Sequence, residues 1–193
     1  MERHQVGATE RRRSMKPKSW LSVAFLAAVA VAGLVVVERP VGAASGPGLV
    51  NSHADLCAQP VGGATDATAP IVLEPCADIA EQHWFQIPVP GQAGQFSFRN
   101  AKSGLCLEVP GSTPADGTRV IQWPCVPDGQ VPISNERWTF SQFGFPPAPM
   151  VSRLGGSSST CLDVPGGSTQ PGTALQVFTC NGTAAQQWEI GNG

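Results

Sequence analysis

The sequence predicts an all-β domain made of three tandem copies of one unit, preceded by an N-terminal signal peptide. Three observations predict the repeat. All six cysteines fall into pairs of identical separation, 19 positions: CAQPVGGATDATAPIVLEPC (57–76), CLEVPGSTPADGTRVIQWPC (106–125) and CLDVPGGSTQPGTALQVFTC (161–180). A tryptophan follows each pair, Trp84, Trp138 and Trp188, at 8, 13 and 8 residues beyond the second cysteine. The five extra residues of the second copy lie in the turn-rich PDGQVPISN, 127–135. Past the leader, Gly and Pro punctuate the chain and no helical periodicity intervenes. Short runs between regular turn signals mean a β-barrel or sandwich. A period of about 50 residues means a unit that buries its apolar face only against its neighbours.

Taken in order, the leader comes first. Arg11, Arg12, Arg13, Lys16 and Lys18 form a basic stretch, Trp20 to Val37 an apolar run, and Val41-Gly42-Ala43-Ala44 a small-residue site. Basic, apolar, then small is the pattern of a secretory signal peptide, so residues 1–43 are read as the leader, cut after Ala43 or Ala44. The 18-residue apolar run also leaves an uncleaved anchor open, being at the short end of what spans a bilayer. Met15 is an alternative start. Residues 44–193 form the domain, with copies at about 49–90, 95–141 and 149–190. The β-prone runs are Gln95–Phe98, Leu105–Val109, Arg119–Trp123, Trp138–Phe140, Met150–Leu154, Cys161–Val164, Leu175–Phe178 and Trp188–Ile190. Four strands per copy give about twelve.

A secreted domain sits in an oxidising space, where paired cysteines become disulfides. Constant spacing selects Cys57–Cys76, Cys106–Cys125 and Cys161–Cys180 from the fifteen possible connectivities. Each closed loop contributes about 3 kcal/mol in the chain-entropy account. A zinc site is excluded, because structural zinc uses cysteines two to four residues apart. From Ala44 onward there are five basic and eleven acidic side chains, a net charge of −6. Nucleic-acid binding is excluded with it, since phosphate contacts need Lys and Arg.

The pattern C-L-D/E-V-P-G, then Gly-Thr, then an apolar run into Cys, then Q-x-W, resembles the ricin-B-type lectin domain of secreted bacterial proteins. The resemblance covers residues 49–190. It implies a β-trefoil, three four-stranded lobes about a pseudo-threefold axis, with Trp84, Trp138 and Trp188 in the core. It also implies a sugar site in each copy. The acid two residues after the first cysteine takes sugar hydroxyls, an aromatic two before the second cysteine stacks on the sugar, and an Asn just before Q-x-W and its Gln complete the pocket. The chemistry is apt, because a sugar has adjacent hydroxyls for a charged acceptor and one apolar C–H face for a ring.

Carried over residue by residue, the third copy has Asp163, Phe178, Gln176 in the polar position beside the ring, and Gln186, but Ala185 stands where the Asn belongs. The second copy has Glu108, Trp123 and Asn135, with Glu136 replacing the Gln and Ile121 in the polar position. Gln122 is displaced by one and should face the other way. The first copy has Gln59, Glu74, Val72 and Glu81 in these places and is read as a dead site. Asp163 also precedes a Pro-Gly turn, so bracing that turn is its plain structural role. Gln82 and Gln186 are expected to pair with loop backbone as well.

The expected function is therefore carbohydrate binding without catalysis, directed by the resemblance to galactose-type sugars or polysaccharides such as xylan. The chain is read as a secreted monomer with no metal or cofactor, touching a membrane only if the leader stays. A sugar-blind trefoil that binds a protein or serves a structural role is the alternative. An enzyme is disfavoured, because glycoside hydrolysis needs two carboxylates at a set separation. No two acids form an evident pair in the sequence, and His53 and His83 have no nucleophile motif beside them. Asn181-Gly182-Thr183 is a glycosylation acceptor string, which matters only in a eukaryotic secretory route.

Overall fold

A computed structural model describes residues 46–111, 115–140, 147–154 and 159–192. The expected leader, residues 1–43, lies outside these residues. The first copy supplies β1 (Pro47–Asn51), β2 (Leu56–Pro60), β3 (Ile71–Pro75) and β4 (Trp84–Pro88). The second supplies β5 (Gln95–Asn100), β6 (Cys106–Glu108), β7 (Thr118–Arg119), β8 (Ile121–Trp123) and β9 (Trp138–Thr139). The third supplies β10 (Ala148–Pro149), β11 (Val151–Ser152), β12 (Thr160–Asp163), β13 (Gln176–Thr179) and β14 (Gln187–Asn192). β7 and β8 flank Val120, and β10 and β11 flank Met150, so each pair is one strand interrupted at one residue. Four strand positions per copy result, as expected. No run of the first copy stood out in the sequence because each of its four strands begins or ends on a proline, Pro47, Pro60, Pro75 and Pro88.

The outer strands close a ring. β14 pairs antiparallel with β1, from Pro47↔Asn192 to Asn51↔Trp188. Around the ring β4 pairs with β5, β5 with β9, β9 with β11, and β10 with β14. The bridge Gly48↔His83 joins β1 to β4 and completes it. The inner strands form three hairpins, β2–β3, β6–β8 and β12–β13. These join one another through β13–β7 and the bridges Pro70↔Ile121 and Val72↔Ala174. A ring capped by three hairpins is the β-trefoil, and closure leaves the ring without a free edge.

The repeat extends to single atoms. Trp84, Trp138 and Trp188 are 1%, 0% and 0% exposed. Each indole Nε1 donates to the carbonyl just past its own copy's first cysteine: Ala58 O at 2.9 Å, Leu107 O at 3.1 Å and Leu162 O at 2.9 Å. A buried Trp thus fills the core and satisfies its one donor. Around the three rings pack Leu49, Ile71, Leu73, Phe98, Leu107, Leu162 and Leu175, all at 1% exposure or less. The three disulfides are Cys57–Cys76, Cys106–Cys125 and Cys161–Cys180, the pairing that the spacing selects.

Candidate functional site

Strand register places equivalent residues in equivalent positions. The ring position lies opposite the first cysteine in every copy: Cys57↔Glu74, Cys106↔Trp123, Cys161↔Phe178. The acid position lies opposite the polar position: Gln59↔Val72, Glu108↔Ile121, Asp163↔Gln176. Because side chains alternate along a strand, acid and ring emerge on the same face, two residues apart.

In the third copy the constellation comes together. Asp163 is buried, and its Oδ1 accepts from Gln176 Nε2 at 2.8 Å while Oδ2 accepts from Gln186 Nε2 at 3.1 Å. Each oxygen keeps acceptor capacity for a further hydroxyl. Among the described residues the carboxylate makes no hydrogen bond to the Pro165–Gly167 turn; its bonds go to the two amides. Gln186 does pair with loop backbone: Oε1 accepts from Asn181 N at 2.9 Å and Nε2 also donates to Thr179 O at 3.0 Å. Asp163, Gln176 and half-buried Phe178 line an open cleft of about 400 Å³. Gly166 and Gly167 form one wall with φ of 62° and 64°, left-handed values that favour glycine. Ala184 and Ala185 form another wall.

The second copy holds the same positions with different chemistry. Glu136 is 1% exposed, and its Oε2 accepts from Val126 N at 3.2 Å, which reproduces the acceptor half of Gln186. A carboxylate has no donor, so Glu108 gains no bond from it. Glu108 is buried with Oε2 lacking any hydrogen-bond partner. Burial first, and the charge of Glu136 second, push its carboxyl up to about 7. Burial also raises Glu136. The expectation that no two acids form a pair is thus corrected. Glu108 and Glu136 are 28 residues apart in sequence, and the fold alone brings them together. Trp123 is 41% exposed, free to present its face. Asn135 turns its Nδ2 onto Gly111 O at 2.7 Å. Gln122 faces the other way, as alternation required: Nε2 donates to Ala64 O and Asp66 O, and Oε1 accepts from Ser103 Oγ. The 127–135 insertion lines a separate cleft of about 320 Å³ with Phe85, Ile87 and Arg99.

In the first copy Gln82 Nε2 donates to Gln59 Oε1 at 2.8 Å and to Pro75 O, and Gln82 Oε1 accepts from Ala77 N. This closes one amide on another, with Glu74 in the ring position, which fits the dead reading. The three copies thus pair amide with amide, acid with acid, and acid with amide.

Three polar residues of the third cleft escaped the sequence reading: His53, Asn181 and Thr183. Asn181 Oδ1 accepts from Thr183 N and Oγ1, a local turn that only the folded loop reveals. His53 belongs to the first copy and reaches the third through chain closure, which no local motif records.

Known proteins place this fold. A family model described as ricin-type β-trefoil lectin domain-like matches residues 42–123 and 134–193, so the unmatched gap falls on the second-copy insertion. No curated protein matches the chain. Among solved structures, a designed threefold-symmetric protein, ThreeFoil, superposes with a TM-score of 0.64 at 24% identity, over 75% of this chain and 96% of that one. A ricin B-like lectin of Macrolepiota procera, solved in complex with lactose, gives 0.58 at 24% identity, over 76% and 94%. An exo-β-1,3-galactanase of Clostridium thermocellum gives 0.65 at 26% identity, but the match covers only 30% of the enzyme against 76% of this chain. The family model covers most of the chain, and the β-trefoil fold agrees with it: the protein belongs to the ricin-type β-trefoil lectin domain-like family.

Proposed function

We propose that the chain is a secreted, non-catalytic carbohydrate-binding protein acting chiefly through the third-copy cleft. The observation that carries this is the Asp163 carboxylate, aimed by the two amides of Gln176 and Gln186 beside the Phe178 ring. Pre-orientation by neighbours lowers the cost of ordering the site on binding. The two oxygens take adjacent hydroxyls and the ring covers the apolar face of the same sugar. Galactose-type sugars and xylan are the first candidates, and a single open cleft implies weak binding to a lone sugar. Repetition along a polymer raises the effective affinity where a second copy also engages. The second copy contributes less, because Glu108 lacks the aiming amide and is held toward its neutral form.

A glycan and polysaccharide screen on the oxidised protein, beside Asp163→Ala and Glu108→Ala, tests this reading. Binding that Asp163→Ala abolishes and Glu108→Ala spares is the expected result. Silence from a folded parent protein would favour the second reading, a sugar-blind trefoil with a protein partner. That reading draws on the exposed apolar side chains Phe85, Val131 and Ile133 on and beside the insertion cleft, 50%, 53% and 56% exposed.

A further inference from the structure

His53 stands where it does because of Asn51. That Asn is fully buried, and its Nδ2 donates to Ala185 O at 3.2 Å and Gln187 O at 3.3 Å, both in the third copy. Its Oδ1 accepts from His53 N at 3.2 Å and Ala54 N at 3.0 Å. Ser52 N donates to Gln187 O at 3.1 Å. The first copy's opening turn is thus bound to the backbone on either side of Gln186.

The same device recurs one copy along. Asn100 is buried, its Nδ2 donates to Glu81 O at 2.7 Å and His83 O at 3.4 Å, and its Oδ1 accepts from Lys102 N and Ser103 N. His53 and Lys102 each stand two residues past this Asn, so Lys102 is to the first copy's site what His53 is to the third's. The Lys102 side chain shows how far that position reaches: Nζ lies 3.1 Å from Glu81 Oε1. Glu81 occupies the first copy's Asn position. In the first copy, then, a side chain from the following copy reaches the Asn position of the copy it covers.

In the third copy that position is Ala185, which has no polar group. Both Ala185 and His53 line the cleft. His53 is exposed, and its ring makes no hydrogen bond or ion pair among the described residues. We propose that His53 supplies, from the first copy, the sugar-directed hydrogen bond that Ala185 cannot make, so that the third-copy site is a composite of two copies. A neutral imidazole offers one donor and one acceptor, the same pair of functions as a side-chain amide. This inference rests on the third cleft being the sugar site. It adds a residue that the repeat motif does not assign, and it explains how the site tolerates the loss of its Asn.

The test is calorimetric titration of lactose and of a xylan oligosaccharide into the oxidised protein, for the parent, Asp163→Ala, His53→Ala and the double variant His53→Ala/Ala185→Asn. Removing one hydrogen bond to a bound ligand predicts about a 5- to 10-fold loss for His53→Ala, with recovery of part of it when Asn stands at 185. The His53 ring proton resonances should also shift on adding the sugar to the parent and stay fixed in Asp163→Ala. His53→Ala binding like the parent, with unmoved ring resonances, while Asp163→Ala has lost binding, overturns this inference and leaves the lectin reading intact. No binding of either sugar by the parent overturns both.

Discussion

Gln186 of the third copy and Glu136 of the second occupy one structural place, three residues deep in the same short turn and two before the same buried Trp. Both accept a backbone N–H from the residue after the second cysteine. Only Gln186 has an amide left to give to the neighbouring acid. One atom type, NH₂ against O, therefore separates an aimed carboxylate from a buried pair of carboxyl groups. Structural and recognition roles share this position. The acceptor half holds the loop in all three copies, and in the proposed site the donor half aims the acid.

The largest expected effect comes from removing the aimed acid. Asp163→Ala should cost about 1.5–3 kcal/mol of sugar binding, the value of hydrogen bonds to a charged group, read by titration. Melting should still show a folded protein. Next, Gln186→Glu transplants the second copy's pair into the third. It should destabilise the fold by about 1–3 kcal/mol through an unsatisfied, like-charged pair, seen as a lower Tm, and should weaken sugar binding at neutral pH. The reciprocal Glu136→Gln should stabilise, with Tm up by about 2–4 °C for each kcal/mol gained.

The pH profile sharpens the same contrast. A carboxyl that titrates near 4.5 unfolded and near 7 folded, as Glu108 does, binds its proton more tightly in the folded state. Its stabilising contribution is complete below about 4.5 and is lost as pH rises to about 7. The parent's Tm should therefore fall across that window, and the fall should shrink in Glu136→Gln and in Glu108→Gln. A flat profile in the parent would remove the second copy's acid pair from the account. Smallest, Phe178→Ala should weaken sugar binding by about 0.5–1.5 kcal/mol, and Phe178→Trp should recover it.

Much of this was legible in the sequence, for a physical reason. A trefoil needs the same core and the same turn three times, so the cysteine pairs recur at one fixed spacing and a tryptophan follows each pair. Strand alternation then places Asp163 and Phe178 on one face and turns Gln122 to the other. What stayed hidden depends on chain closure. The pairing of β1 with β14 carries His53 to a site more than a hundred residues away in sequence. Glu108 and Glu136 likewise meet only because the short turn before Trp138 packs against β6, so a Glu in place of the Gln gives no sign in the sequence of a buried acid pair. In the first copy, proline-rich strand ends masked four strands that ladder bonds and burial still impose.

The most direct measurement of the central claim is the stoichiometry and carboxylate dependence of sugar binding at neutral pH, by titration of lactose or a xylan oligosaccharide into the parent, Asp163→Ala and Glu108→Ala. One site per chain, absent from Asp163→Ala and unchanged in Glu108→Ala, is the predicted result. Binding that survives Asp163→Ala and disappears with Glu108→Ala would contradict the account, because the working site would then be the copy without the aiming amide.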